Sequence, residues 1–270
     1  DNRFLVIDGQ QRLQSLRAFY EGIWPKTERA FRLVGVSEPF NGKTYKDLDG
    51  ADQRRLDDGI LHATVVKQES PDGDGGIYHI FERLNTGGLL PLPQGIRSCI
   101  YSGTFNALLH GVNEIDDWRE VYGPISPRLR DQELILRFLA LKNGAVSYRE
   151  PMKEFLNAFM RQHQAANAEL IEKFGMEFAR TIGVINGSLG KRAFRIGSAI
   201  NAAVFDAIMV GLSLRLEHGA EAPSPNAITD SHDELLRDAE FLDAVMSTTA
   251  DAAKVARRLE MATAAFKGLQ

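Results

Sequence analysis

The chain has 270 residues, 44% of them hydrophobic and 25% charged, with a formal net charge of −4 and a single cysteine, Cys99. That gives enough apolar material for one large domain or two small ones, and one cysteine excludes a disulfide scaffold or a cysteine-rich zinc site within the chain. The acidic balance argues against a free-standing DNA-binding module, which is more often basic, and no apolar run reaches the roughly 20 residues that a membrane-spanning helix needs.

The sequence opens at Asp1 with neither a methionine nor a signal peptide, and reads as a fragment. Residues 3–7 (RFLVI) are β-rich and stop at Asp-Gly, which predicts a strand. From Gln11 to Glu21 the apolar residues Leu13, Leu16, Phe19 and Tyr20 have helical spacing, closed by Gly22 and Pro25. Residues 30–36 (AFRLVGV) and 60–68 (ILHATVVKQ) predict a second and a third strand, with a short helix near 45–57 between them. Residues 70–76 (SPDGDGG) form a loop by composition. A helix from Ile77 to Leu84 follows and stops at Asn85-Thr86-Gly87-Gly88.

Past residue 93 the β signal nearly vanishes. Helices are predicted near 93–101, 103–112, 129–143, 148–164, 167–183, 198–217, 231–246 and 250–267, and Asp116-Asp117 before Trp118 has the acidic first turn of a further helix start. Leu134, Ile135, Phe138, Leu139 and Leu141 give a wide apolar face, and Val204, Ile208, Leu212 and Leu216 form an i, i+4 row. The stretch from Glu217 to Thr229, with Pro223 and Pro225, reads as a flexible connection. The chain is therefore expected to be α+β: a small sheet-bearing part over 1–92, and a mainly helical part over 93–270 that packs on it.

The chemistry concentrates at Asp8-Gly9-Gln10-Gln11-Arg12, where the first strand hands over to the first helix. A helix start leaves backbone N–H groups without partners and carries partial positive charge. Glycine lets a ligand approach the backbone closely, so the corner suits phosphate. Arg12 adds a permanently charged fork for phosphate oxygens. Gln10 and Gln11 are placed to orient a water or a phosphate, and Asp8 to hold a metal ion or accept a proton. A plainer account also stands: Asp-Gly is a common turn, Asp8 is a good N-cap, and Gln and Arg favour helices. No Walker A pattern is present.

A second set is Phe81-Glu82-Arg83-Leu84-Asn85-Thr86-Gly87-Gly88, either a helix stop or a second wall of the same pocket. A third is Gln94-Gly95-Ile96-Arg97, in which Arg97 is either solvated or turned to that pocket. Cys99, between Ile96 and Ile100, reads as a buried inert thiol. Lys191, Arg192 and Arg195 make a small basic cluster, either a solvated loop or a phosphate contact. The six histidines show neither i, i+4 pairing nor HExxH, and no His-Asn-His nuclease pattern is visible.

VIDGQQRLQSL, FERLNTGG, QGIRSCIYSGTFNALL and RDQELILRFLAL occur in that order. Together they resemble the family of N-terminal, GmrS-type parts of GmrSD restriction systems, related to the ParB and sulfiredoxin-like fold. The resemblance implies a ParB-like mixed sheet at the N-terminus, and a nucleotide-binding, NTP-hydrolysing domain in bacterial phage defence. It makes Asp8, Gly9, Gln10, Gln11 and Arg12 the phosphate-handling centre, with a divalent metal, magnesium above all, at Asp8. Arg83, Asn85, Gly87 and Gly88 match the second motif, Gln94 and Arg97 the third, and Arg130 and Arg137 fall in the fourth. The implied setting is cytoplasmic, without membrane. Nucleotide is the implied ligand, DNA is reached through a separate region or subunit, and a nuclease is the partner.

Two departures go with the resemblance. Gly95 stands where the family has glutamate, so any metal or base role of that carboxylate would pass to Asp8 or Glu82. The family's upstream arginine-bearing segment and its His-Asn-His nuclease are not in this sequence, and no nuclease site is locatable in it. Three functions are therefore expected to compete: a metal-dependent NTPase, a non-hydrolysing module binding nucleotide or DNA, and a helical interaction scaffold with a degenerate motif.

Overall fold

The computed structural model describes residue 6 and residues 9–25, 27–65, 93–217 and 221–270. The chain divides into two compact units, Asp1–Leu89 and Leu90–Gln270. The architecture is α+β.

In the first unit, helix α1 (Gln10–Glu21) ends where the sequence predicts, with the Gly22 N–H donating to the carbonyls of Ala18 and Phe19. Strands β1 (Ile23–Trp24) and β2 (Arg29–Ala30) follow as an antiparallel pair, Ile23 opposite Ala30 and Trp24 opposite Arg29. A capping box between Thr44 and Asp47 starts a short 3-10 turn over Tyr45–Asp47. Helix α2 (Gly50–Asp57) is N-capped by Asp49, which accepts from the N–H groups of Ala51 and Asp52. The apolar side of α1 buries Ala18 and Phe19. Phe19 meets Phe31 and Tyr45 edge-on at centroid distances of 5.8 and 6.0 Å.

Two strand expectations change here. Among the described residues the sheet is this two-stranded antiparallel pair. Residues 31–36 carry β-rich composition but only local pairing: Leu33 exchanges backbone bonds with Lys43 and Gly42, and the Gly35 N–H turns to the side chain of Asn41. Of the strand expected over 60–68, residues 60–65 are exposed and in no strand, and 66–68 lie outside the described residues. A β-rich run becomes a strand only where an edge is offered to it. The predicted strand at 3–7 and the helix from Ile77 to Leu84 lie outside the described residues, apart from Val6, which is in no strand.

The second unit is helical among its described residues: α3 (Pro93–Ile100), α4 (Thr104–Val112), α5 (Asp116–Tyr122), α6 (Arg130–Gly144), α7 (Met152–His163), α8 (Ala168–Ser188), α9 (Ala202–Arg215), α10 (Pro225–Leu235), α11 (Ala239–Met246) and α12 (Ala252–Lys267). The row Val204–Ile208–Leu212–Leu216 is buried, but so is every residue from Ala203 to Ser213. Helix α9 is thus the centre of the unit rather than an amphipathic surface helix. It packs chiefly on α12 and α6. At Gly211 the backbones nearly touch, since a Cβ there would lie 2.7 Å from the carbonyl carbon of Ala262.

The boundaries shift where capping chemistry decides them. Helix α9 starts at Ala202 because the Asn201 side chain accepts from Ala203 and Val204, while Arg195 and Ile200 pair as an isolated bridge before it. The predicted helix over 231–246 is two, parted at Asp238, whose carboxylate caps α11 through the Phe241 N–H. Part of the expected flexible connection is ordered: Pro225 is the first residue of α10, behind the N-cap Ser224. No helix among the described residues is long and apolar enough to cross a membrane.

Candidate functional site

Helix α1 begins in an unusual way. Its N-cap is Gly9, in left-handed backbone at φ 82°, with no side-chain cap among the described residues. The first intrahelical bond runs from Leu13 N to Gly9 O, so the N–H groups of Gln10, Gln11 and Arg12 lie in the first turn, ahead of the intrahelical ladder. A Cβ built on Gly9 would sit 3.3 Å from Arg12 Nη2 and 3.6 Å from its Nε and Cζ. The Arg12 guanidinium therefore folds back over the N-cap. Glycine is needed twice, for its positive φ and for the space the guanidinium takes. Gln10, Gln11 and Arg12 are all exposed. The corner thus combines helix-start N–H groups, a helix dipole and a guanidinium, the ingredients of an oxyanion cradle.

Asp8, Glu82, Arg83, Asn85, Gly87 and Gly88 lie outside the described residues. Among the described residues no group of three or more His, Cys, Asp or Glu could hold a metal ion.

Arg97 belongs to the helical unit, on α3, and is buried there. Its Nε donates to Asn157 Oδ1 at 2.9 Å, and its Nη1 to Glu133 Oε2 at 3.0 Å and Gln94 Oε1 at 3.2 Å. One guanidinium so ties α3 to α6 and α7. The Gln94 amide nitrogen, also buried, has no hydrogen-bond partner among the described residues. Helix α3 has no acid in its first turn, where Gly95 stands. Cys99 is half-buried, and desolvation pushes its thiol above the usual range.

Of the fourth-motif arginines, Arg137 makes a bidentate pair with Asp206 of α9. Asp206 also accepts from Arg258 Nη2 at 2.8 Å, and Arg258 Nη1 donates to the Thr249 carbonyl at 2.7 Å. Asp206 and Arg258 are fully buried. Neither drew notice in the sequence, yet Asp206 is a lone carboxylate in the apolar run AAVFDAIMV, which is a signal for a buried ion pair. A second buried acid, Asp131, accepts from Arg119 Nη1, Asn113 Nδ2 and the Ser126 N–H at 3.0, 3.2 and 3.0 Å. The Trp118 indole donates to Asn113 Oδ1 at 3.0 Å in the same network. These groups hold helices together and fix where Arg137 stands.

Residues 1–101 match the family model described as GmrSD restriction endonuclease, N-terminal domain. Over that stretch the match bears out the resemblance carried by the motifs, and it supports a restriction-system role. It runs past the division at residue 89 and includes α3, so Arg97 lies within the matched stretch although its partners Glu133 and Asn157 do not. No curated protein and no solved structure matches the chain.

Proposed function

From residues 1–101 as a GmrSD-type N-terminal domain, we propose that the chain is the nucleotide-binding, NTP-hydrolysing component of an anti-phage restriction system. The observation that carries this is the α1 corner: a left-handed glycine N-cap with the Arg12 guanidinium folded over it. The N–H groups of the first turn and the Arg12 fork hold terminal phosphate oxygens. Gln10 and Gln11 position a water for in-line attack on the terminal phosphorus. The bond to the bridging oxygen breaks, and nucleoside diphosphate and phosphate leave. Such a reaction needs placement and charge stabilisation more than covalent chemistry.

Asp8 would hold a divalent ion. A carboxylate is a ligand for a hard cation such as magnesium, which would supply charge neutralisation there. Arg83, Asn85, Gly87 and Gly88 complete the phosphate-binding set. The system works in the cytoplasm, and DNA is reached through a separate region or a nuclease subunit.

The test is thermal unfolding of the purified chain with ATP or GTP and magnesium, alongside phosphate release. Nucleotide at a hundredfold its Kd stabilises by about 2.7 kcal/mol. Arg12→Ala removes a charged hydrogen-bonding partner worth about 1.5–3 kcal/mol, a loss of roughly tenfold to a hundredfold in affinity. Absence of any shift with every nucleotide tried, or a shift indifferent to Arg12, overturns the proposal.

A second function, binding of nucleotide or DNA without hydrolysis, is favoured by Gly95, which leaves the first turn of α3 without the family's carboxylate. Nucleotide-dependent stabilisation with no phosphate release selects it. A helical scaffold with a degenerate motif is selected if neither is seen.

A further inference from the structure

A cavity of about 480 Å³ opens in the helical unit beside the start of α6 and the bridge between Arg195 and Ile200. That volume lies in the range of small-molecule sites. Arg130, Arg137 and Arg195 line it together with one acid, Glu133.

The charges are not balanced. Arg137 is matched by Asp206, and Glu133 is engaged by Arg97. Arg195 is held by main-chain carbonyls instead: Nη1 donates to Val121 at 3.1 Å and to Lys191, and Nη2 to Tyr122 at 3.3 Å. Those bonds aim the guanidinium without neutralising it, and they engage three of the roughly five donors such a fork carries. The Arg130 side chain makes no hydrogen bond or ion pair with any described residue. Asp131, in the same first turn, does not line the cavity, because its carboxylate is buried among Arg119, Asn113 and Ser126. Two cations therefore share a recess with no acid of their own. The rest of the wall is apolar or weakly polar, with Tyr122, Leu134, Ile200 and Ser198.

We infer that this cavity is a binding site for a phosphorylated small molecule of mononucleotide size, its phosphate held between Arg130 and Arg195. Paired guanidinium forks are the side chains best matched to phosphate oxygens. An apolar wall beside them accepts the body of the ligand. The site uses no residue of the α1 corner, so it goes beyond the proposed function and does not rest on it.

The test is isothermal titration of the full chain with pyrophosphate, with AMP, and with a short single-stranded deoxyoligonucleotide. Each is repeated on Arg130→Gln, Ser198→Glu and Arg12→Ala. Arg130 and Ser198 are exposed, so both pocket variants retain the fold, which circular dichroism checks. Pyrophosphate and AMP are expected to bind the parent chain, to bind Arg130→Gln at least tenfold more weakly, and to be lost with Ser198→Glu, which adds a carboxylate at the mouth. Binding at this site is unchanged in Arg12→Ala. The inference is overturned if neither small probe binds, if both bind the two pocket variants as they bind the parent, or if only the oligonucleotide binds. Loss with Arg12→Ala alone would sink it and leave the α1 corner standing.

Discussion

Arg137 grips Asp206 with both ends of its fork: Nε donates to Oδ1 at 3.0 Å and Nη2 to Oδ2 at 2.5 Å. Arg258 reaches the same Oδ2 from α12, so one fully buried carboxylate joins three helices. Removing it strands two guanidinium groups, one of them wholly buried. Asp206→Ala is expected to cost about 3–5 kcal/mol, the range for breaking a buried pair from one side. Urea unfolding followed by circular dichroism measures this. A loss under 1 kcal/mol would mean that the network is dispensable.

The contact at Gly211 makes a prediction of opposite sign to its neighbour in kind, Gly111. A Cβ at Gly211 would meet the backbone of Ala262 at 2.7–2.8 Å, and backbone does not swing aside. Gly211→Ala is expected to destabilise by about 1–3 kcal/mol through overpacking. Gly111, on α4, has nothing within 4 Å of where its Cβ would be. Gly111→Ala is expected to stabilise by about 0.5–1 kcal/mol through helix propensity. Both are read from the same denaturant curves, and equal shifts in the two variants would refute the packing argument.

In the first unit, the Tyr45 hydroxyl donates to both carboxylate oxygens of Asp57, at 2.7 and 2.9 Å. That hydrogen bond, with desolvation second, pushes the phenol up to about 12. The folded value is raised above the unfolded one, near 10. The contribution to stability is therefore complete below about pH 10 and is lost as pH rises through 12. The phenolate difference spectrum between the parent chain and Tyr45→Phe should show one late-ionising tyrosine. Asp57→Asn should return it towards 10. Ionisation of Tyr45 near the ordinary value in the parent chain would disprove the contact.

The helical part was legible because it is long and periodic. Leu134, Ile135, Phe138, Leu139 and Leu141 are all buried on α6, as their spacing predicts. Elsewhere the structure departs from the local pattern where a partner distant in sequence decides. Residues 30–36 have the composition of a strand, but among the described residues the strand pairing stops at Ala30. The single helix expected over 231–246 is divided by a cap at Asp238 that periodicity does not register. Arg97 was placed by its motif, whereas its surroundings come from Glu133 and Asn157, 36 and 60 residues away, which no local pattern links to it. Arg130, Arg137 and Arg195 were each visible as cations in the sequence. That they border one recess depends on how α6 and the Arg195–Ile200 bridge pack, and packing is not local information.

The burial of α9 on every side bears on how the chain is made. A rod with no polar face has nowhere stable to rest until its cover arrives. Its main cover, α12, comes last in the chain order of the unit, so during synthesis the apolar rod waits for residues 252–267 to leave the ribosome. The C-terminal turn then locks down, with the Arg215 guanidinium on the Leu269 carbonyl at 2.8 and 3.1 Å. Translation that stalls before α12 leaves a sticky intermediate, a natural client for a chaperone.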